Sequence, residues 1–161
     1  MPRRAAILTI STSKAAGTGE DDSGPRLAAL AERLGAEVVA RAIVPDERAA
    51  IEHHLRAWSD VDGCALVLTS GGTGLAPSDV TPEATRAVIE REAPGIGEAI
   101  RACSREHTPN WMLSRALAGT RGTTLIVNFP GNPAAIDQTG DALAGPLAHA
   151  LELLAGCRGG H

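Results

Sequence analysis

An apolar run that ends in a glycine-rich loop is the feature that most constrains the fold of this chain. Residues 64–68 carry no charge and predict a buried strand. Three glycines fall within positions 71–74, and Asp79 and the start of a helix follow. Glycine lets backbone N–H groups approach a ligand without a Cβ in the way. Because such loops past the carboxyl end of a strand bind anions in open α/β sheets, the first hypothesis is a phosphate or nucleotide site.

Strand and helix patterns alternate along the whole chain. The predicted strands 5–11, 64–68 and 123–128 contain no charged residue, which indicates a parallel sheet covered on both faces. A late hairpin around Arg121-Gly122 predicts a mixed sheet with an antiparallel strand toward one side. One domain over residues 1–161 is expected. The predicted strands cover 5–11, 37–44, 64–68, 115–120 and 123–128, and the predicted helices cover 25–35, 46–59, 81–92, 97–105 and 133–155.

Composition argues against several classes of protein. A net charge of −4 and an aromatic content of 2% do not suit a nucleic-acid binder. The single lysine, Lys14, lies outside any Gly-Lys-Ser/Thr loop, so a Walker-type nucleoside triphosphatase is not expected. Cys64, Cys103 and Cys157 lack metal-ligand spacing, and their odd number suits a reducing cytoplasm. No apolar run approaches the length of a membrane span, and the N-terminal residues predict a first strand instead of a signal peptide.

Three features follow predicted strands and are expected at one edge of the sheet. Asp46 follows the strand 37–44, the glycine loop and Asp79 follow 64–68, and the segment 128–133 ends the last strand. The carboxyl ends of parallel strands share an edge, where ligands bind. Two carboxylates beside a phosphate loop could hold Mg²⁺, which takes oxygen ligands. Gly131 could free backbone N–H groups for an anion at the start of the last helix.

Purely structural explanations stay open for each of these features. Asp46 could be the N-cap of the helix that follows it. Asp79 could stabilise a turn, and the glycine loop could be only a tight connection. Asn132-Pro133 is also a good helix start by itself. No Ser-His-Asp order and no GxSxG elbow is visible, so a serine nucleophile is not predicted.

Five segments, in order along the chain, resemble the molybdopterin adenylyltransferase family. This family includes bacterial MogA and MoaB proteins and the G domains of plant Cnx proteins and animal gephyrin. The specific segment is the second one, which contains the glycine loop and Asp79. The resemblance implies a three-layer α/β/α sandwich with a mostly parallel mixed sheet, and a homotrimer. The segments are VPDE (44–47), LTSGGTGLAPSDVTPEAT (68–85), EAPGIGEAIR (92–101), MLSRALAG (112–119) and LIVNFPGNPAAI (125–136).

The resemblance also implies an activity in molybdenum cofactor biosynthesis. Family members use Mg²⁺ and ATP to adenylylate the terminal phosphate of molybdopterin and release pyrophosphate. It implies a cytoplasmic enzyme with small-molecule substrates and a possible hand-over to a molybdate-insertion protein. By motif, the catalytic and metal-binding residues are Asp46 and Asp79, the nucleotide-binding residues are Gly71, Gly72, Thr73, Gly74, Pro130, Gly131, Asn132 and Pro133, and the pterin-binding residues are Ser104, Ser114 and Asn128.

One part of the chain departs from the family pattern. After the first strand the family often carries a Ser-Asp pair, whereas this chain has Ser11-Thr12-Ser13-Lys14, so Asp22 is the candidate replacement for that acid. Two other functions stay open: a molybdopterin-binding or scaffold protein without turnover, and a nucleotide hydrolase on the same fold. The presence of both Asp46 and Asp79 favours the transferase. The sequence does not separate MogA-like from MoaB-like activity.

Overall fold

The computed structural model describes residues 1–156, so Cys157 and the end of the predicted 1–161 domain lie outside the described residues. The strands are β1 (Arg3–Ile10), β2 (Ala36–Val44), β3 (Leu66–Ser70), β4 (Arg91–Glu92), β5 (Ala118–Arg121) and β6 (Thr124–Phe129). The helices are α1 (Thr12–Ala15), α2 (Ser23–Arg33), α3 (Arg48–Asp60), α4 (Thr81–Val88), α5 (Pro94–Ser104) and α6 (Pro133–Leu154), with a 3₁₀ helix at Pro109–Leu113.

The six strands form one mixed sheet in the order β2-β1-β3-β6-β5-β4. Strands β2, β1, β3 and β6 are parallel neighbours. Strand β5 runs antiparallel to β6 through the tight turn at Gly122, and β4 runs antiparallel to β5. The predicted mixed sheet with its antiparallel side is therefore confirmed.

Helices cover both faces of the sheet. On one face Leu27 of α2 and Ile136 of α6 pack with Leu68 in a core that also includes α5. On the other face Ile51 of α3 and Val88 of α4 pack in a second core. Successive residues of a strand point to opposite faces, so apolar strands serve both cores at once. The three-layer α/β/α sandwich is confirmed.

The predicted helix over 81–92 is wrong at its end, because pairing with β5 takes over its last residues. The helix stops at Val88, and Ile89 adopts an extended conformation with ψ 148°. The backbone N–H of Glu90 then donates to the carbonyl of Thr120 at 2.7 Å. The predicted helix over 97–105 begins earlier, because α5 runs from Pro94 to Ser104. Proline is tolerated at this position because a first-turn N–H has no helical partner.

Two other helix starts differ from the predictions. No helix was predicted between the strand 5–11 and the helix 25–35, but α1 forms there, and Ser11 caps it by accepting a hydrogen bond from the Lys14 N–H at 3.3 Å. Helix α2 begins at Ser23, so Pro25 is not its first residue. None of the helices in the described part of the chain is both long and apolar enough to cross a membrane.

Candidate active site at the carboxyl edge of the sheet

The carboxyl ends of the four parallel strands meet at one edge, as the sequence predicts. The N–H of Gly71, after β3, donates to the carbonyl of Phe129 at the end of β6 at 3.1 Å. The N–H of Ser11, after β1, donates to the carbonyl of Val44 at the end of β2 at 2.9 Å. The strand order reverses direction at β1, because β2 pairs with one side of β1 and β3 pairs with the other side. Crevices at such a switch point are where open α/β sheets bind ligands.

The glycine loop, residues 71–74, packs so tightly that its first two positions exclude a side chain. A Cβ on Gly71, which has φ +95°, would lie 2.2 Å from the carbonyl oxygen of Ile10. A Cβ on Gly72, which has φ +67°, would lie 2.3 Å from Oγ1 of Thr81. Gly131 lies against the same loop, since its Cβ would be 3.3 Å from the Gly71 Cα. The loop is thus a tight connection, and it also presents bare backbone at the switch point.

Asp46 lies beside this loop and is not the N-cap of α3. The cap position is Glu47, so the alternative explanation of Asp46 as a cap is wrong. Its Oδ2 accepts hydrogen bonds from Thr12, at 3.1 Å from the N–H and 2.9 Å from Oγ1. Its Oδ1 would be 3.3 Å from a Cβ on Gly72. Asp46 therefore joins the ends of β1 and β2 and keeps one oxygen toward the glycine loop.

Asp79 lies at the other end of the loop and has the turn-stabilising role considered above. Its Oδ2 accepts from the Ala76 N–H at 3.0 Å, while its own N–H donates to the Ala76 carbonyl at 2.9 Å. The same Oδ2 would be 2.9 Å from a Cβ on Gly74, so the glycine makes room for the carboxylate. The turn role leaves Oδ1 of Asp79 without a hydrogen-bond partner among residues 1–156. Asp46 and Asp79 thus lie against the second and fourth residues of one loop.

A small cavity of about 130 Å³ opens at the switch point, beside Gly71 and Gly131. It combines hydroxyl groups, bare backbone and the only lysine of the sequence. Such a combination suits a phosphate group, which accepts many hydrogen bonds and favours positive charge. The polar and glycine residues that line it are Thr9, Ser11, Lys14, Ser23, Ser70, Gly71 and Gly131.

A larger cavity of about 340 Å³ lies between α4, α5 and the start of β5. Ser114, whose contact with pterin stays a prediction, lines it together with Arg86, Arg101 and Arg115. Arg101 donates from Nη1 to the carbonyl of Ala116 at 2.8 Å, which holds the guanidinium at the cavity wall. Three arginines and one glutamate, Glu92, give this cavity an excess of positive charge. An anionic ligand with hydrogen-bonding edges fits such a lining.

The other two residues predicted to contact pterin lie away from this surface. Ser104 is buried, and its Oγ donates to the carbonyl of Ile100 within its own helix at 3.1 Å. Asn128 is completely buried, and its amide donates to Thr69 and Thr85 at 3.0 Å each. Its Oδ1 has no partner within residues 1–156. Asn128 joins β6, β3 and α4 behind the loop, so direct ligand contact by Ser104 or Asn128 stays a prediction.

In the N-terminal loop, Asp22 was the candidate replacement for the acid of the family's Ser-Asp pair, but its neighbour Asp21 is the residue that bonds β1 and the start of α2. Its two oxygens accept from the Gly24 N–H at 2.9 Å and from Oγ1 of Thr9 at 2.8 Å. Asp22 is exposed and makes no capping hydrogen bond to α2. Asp21 therefore fixes the start of α2 against β1, near the switch-point cavity.

Several site residues were missed in the sequence. Lys14 was noted only as an isolated lysine, and Arg115 only as the start of a predicted strand. Arg115 donates from Nε to the carbonyl of Gly74 and from Nη2 to the carbonyl of Asp79, at 2.8 Å each. Its Nη1 bonds Glu83, and this hydrogen bond is the main reason that the pKa of Glu83 is held below its ordinary value. A signal was present for Lys14, because Ser11 before a short polar segment is a typical N-cap.

Metal binding at this edge would rest on few protein ligands. Within the residues that the structure covers, no group of three or more His, Cys, Asp or Glu side chains could hold a metal ion. A cation here would therefore be shared between the two carboxylates and the oxygens of a bound phosphate. Mg²⁺ is commonly held in this way, by one or two carboxylates plus substrate phosphates.

Comparison with known proteins agrees with the resemblance found in the sequence. Residues 6–150 match the family described as the probable molybdopterin binding domain. The molybdopterin adenylyltransferase of Haemophilus influenzae is 42% identical over 135 residues, which cover 83% of this chain and 68% of that protein. The Drosophila melanogaster molybdenum cofactor synthesis protein cinnamon is 41% identical over 149 residues, which cover 92% of this chain. This chain spans only a quarter of the length of the Drosophila protein (25%).

Solved structures agree with the fold. The molybdopterin biosynthesis enzyme MoaB from Thermus thermophilus superposes with a TM-score of 0.89 at 43% identity, covering 97% of this chain and 98% of that one. The five segments quoted above all fall within the range of the family match, so the predicted family is confirmed. Because the match covers most of the chain, and the bacterial relative is 42% identical over two thirds of its own length, this chain belongs to the molybdopterin-binding domain family of molybdenum cofactor biosynthesis proteins.

Proposed function

We propose that this protein transfers an adenylyl group from ATP to molybdopterin and releases pyrophosphate. The observation that carries the proposal is the glycine loop at the switch point, with Asp46 against Gly72 and Asp79 against Gly74. Relatives at about 40% identity that are named molybdopterin adenylyltransferase support it. Among the residues implied for the nucleotide by the family motif, 71–74 and 130–133, Gly131 lies against Gly71 at the same edge.

The chemistry would need no protein nucleophile. The phosphate of the pterin attacks the α-phosphorus of ATP, the bond between the α and β phosphates breaks, and pyrophosphate leaves. Such reactions depend on alignment and on neutralising charge in the transition state. The 130 Å³ cavity fits one phosphate group, and Lys14 would supply positive charge there. The hydroxyl of Ser11 and backbone N–H groups of the glycine loop other than that of Gly71, which donates to Phe129, would orient it.

Magnesium is part of this proposal, and the carboxylates fit it. Asp46 and Asp79 each have one oxygen outside the hydrogen bonds of residues 1–156, and carboxylate oxygen is a ligand that Mg²⁺ prefers. When bound, Mg²⁺ would offset the charge that develops on the leaving pyrophosphate. The protein would contribute the fixed orientation of the two carboxylates, Asp46 through Thr12 and Asp79 through the Ala76 N–H.

The arginine-lined cavity of 340 Å³ is the proposed pterin site. It contains Ser114, one of the residues implied for the pterin, and Arg115, which bonds the glycine loop. Gly71 lines the smaller cavity and Pro82 lines this one, so the chain between the two linings includes the segment that carries Asp79. A pterin phosphate that reaches across this segment would approach the nucleotide beside the two carboxylates.

The oligomeric state and the cellular location of this protein are proposed from the family resemblance alone. We infer a homotrimer in the cytoplasm, and a hand-over of the adenylylated pterin to a protein that inserts molybdate. The Thermus and Haemophilus relatives support these points only as members of the same family.

One incubation tests the function. The protein is mixed with molybdopterin and Mg-ATP, and the products are followed by mass spectrometry; ATP without pterin is the control. Adenylylated molybdopterin with an equal amount of pyrophosphate is the expected result. Binding of pterin without a new product would support the non-catalytic alternative, and nucleotide hydrolysis without pterin would support the hydrolase.

A further inference from the structure

Arg115, which follows the 3₁₀ helix, makes an unusual set of contacts with the segment 74–79. Its backbone N–H donates to the carbonyl of Thr73 at 2.7 Å. Its Nε donates to the carbonyl of Gly74 and its Nη2 to the carbonyl of Asp79, both at 2.8 Å. One guanidinium therefore bonds the first and the last residue of the segment that carries the Asp79 carboxylate.

Thr81, just after this segment, bonds the carbonyls of Gly71 and Gly72, but residues 74–79 themselves have few other contacts. Within residues 1–156, every hydrogen bond that reaches it from outside comes from Arg115. Residues 75–78 are exposed, so packing does not fix them either. Inside the segment, the Ala76 N–H bonds the Asp79 carboxylate, and the Asp79 N–H bonds the Ala76 carbonyl. The position of the Asp79 carboxylate relative to the glycine loop thus depends on Arg115.

Glu83 on α4 binds the third nitrogen of the Arg115 guanidinium. It bonds Nη1 of Arg115, and this hydrogen bond is the main cause that lowers the pKa of Glu83. The three nitrogens of the planar Arg115 guanidinium thus bond three oxygens that lie in different directions. A lysine ammonium is a point donor on a flexible stem and cannot reach all three oxygens.

We propose that Arg115 is a positioning residue for nucleotidyl transfer, which sets the carboxylate of Asp79 and the 74–79 segment in the geometry that the reaction needs. This inference rests on the proposed function for its kinetic consequence, but the effect on the segment is independent of it. The guanidinium also lines the proposed pterin cavity, so the same side chain connects that cavity with the acidic segment.

The test is the Arg115→Lys variant, with Arg121→Lys as a matched control. Arg121 also bonds a carboxylate and a carbonyl, those of Asp60 and Val88, but Val88 is the last residue of α4, whereas the glycine loop contacts its first residue, Thr81. Two readouts are needed. Hydrogen exchange in the ligand-free protein should accelerate at the Ala76 and Asp79 amides by about tenfold in Arg115→Lys, because bonds that close the segment are lost.

The kinetic readout separates positioning from a general structural role. With Mg-ATP and molybdopterin, kcat should fall by about 100-fold in Arg115→Lys, because a displaced reacting group costs that much. The Mg²⁺ concentration for half-maximal rate should rise, whereas Arg121→Lys should match the parent protein in both readouts. Glu83→Gln weakens the bond to Nη1 of Arg115 and should give exchange rates between those of the parent protein and Arg115→Lys. This variant tests the proposal even if Arg115→Lys does not fold.

Unchanged exchange at Ala76 and Asp79, in Arg115→Lys or in Glu83→Gln, would overturn the proposal. A rise confined to the KM for molybdopterin would also overturn it, since Arg115 would then be a pterin ligand only. If the parent protein forms no adenylylated pterin, the proposed function fails, and the exchange result alone decides the role of Arg115 in holding the segment.

Discussion

Replacement of Gly71 by alanine should destabilise the protein by more than an ordinary glycine substitution does. The residue has φ +95°, where an L side chain is strained, and its Cβ would lie 2.2 Å from the carbonyl oxygen of Ile10. That oxygen belongs to the backbone of a central strand, so no side-chain rotation relieves the overlap. Strain at positive φ costs about 1 kcal/mol, and an overlap of this kind costs about 2 kcal/mol more. The expected loss is therefore about 3 kcal/mol.

Gly17 provides the matched control for this prediction. It has φ +85°, but nothing lies within 4 Å of the position of its Cβ. Gly17→Ala should therefore lose only the strain, about 1 kcal/mol. Both variants remove the same conformational freedom from the unfolded chain, so their difference reports the contact with Ile10.

Urea unfolding followed by tryptophan fluorescence measures both free energies of unfolding. The account predicts that Gly71→Ala is less stable than Gly17→Ala by about 2 kcal/mol, with equal m-values. If the two variants lost the same stability within about 0.5 kcal/mol, the tight packing of the glycine loop against β1 would be refuted.

Three further predictions concern the site and the pH dependence of stability. Asp46→Asn and Asp79→Asn should keep the fold by circular dichroism and lose about 3 kcal/mol of transition-state stabilisation in kcat/KM, and near-parent turnover in both would remove the two-carboxylate mechanism. Lys14→Gln should raise the KM for ATP by about tenfold and leave the KM for molybdopterin unchanged, since one phosphate contact is lost; equal changes in both constants would contradict its place at the nucleotide. The hydrogen bond from Arg121 lowers the pKa of Asp60 below its ordinary 3.8. The stabilisation that this pair gives is therefore fully present above pH 3.8 and is lost as pH falls through the lowered pKa. The difference in free energy of unfolding between the parent protein and Arg121→Gln should accordingly disappear when unfolding is measured at acid pH.

The strand ends and their residues could be predicted because local patterns decide them. The apolar runs define the strands, and parallel strands bring their carboxyl ends together, so Asp46 and Asp79 were placed beside the glycine loop from sequence alone. The edge strand β4 could not be predicted in this way. It has only two residues, and its pairing with β5 depends on a partner far along the chain, since Arg91 lies opposite Thr120.

The same reason explains the residues that were missed in the site. Arg115 bonds the carbonyl of Asp79 across 36 positions of sequence, and no local pattern reports a guanidinium that bonds distant carbonyls. The burial of Asn128 could not be predicted either, because an asparagine at the end of a strand is usually exposed. Its two threonine partners come from β3 and α4, and only the packed fold brings them together.

Transfer of a labelled phosphate tests the central claim most directly. The protein, Mg²⁺ and molybdopterin are incubated with ATP that carries radioactive phosphorus at the α position, and in parallel with ATP labelled at the γ position. The account predicts that the α label moves to the pterin in the parent protein, that the γ label leaves as pyrophosphate, and that both transfers fall together by about 100-fold in Asp79→Asn. Label that remains in ATP, or that appears only as free AMP, would contradict a site built from the glycine loop and its two carboxylates.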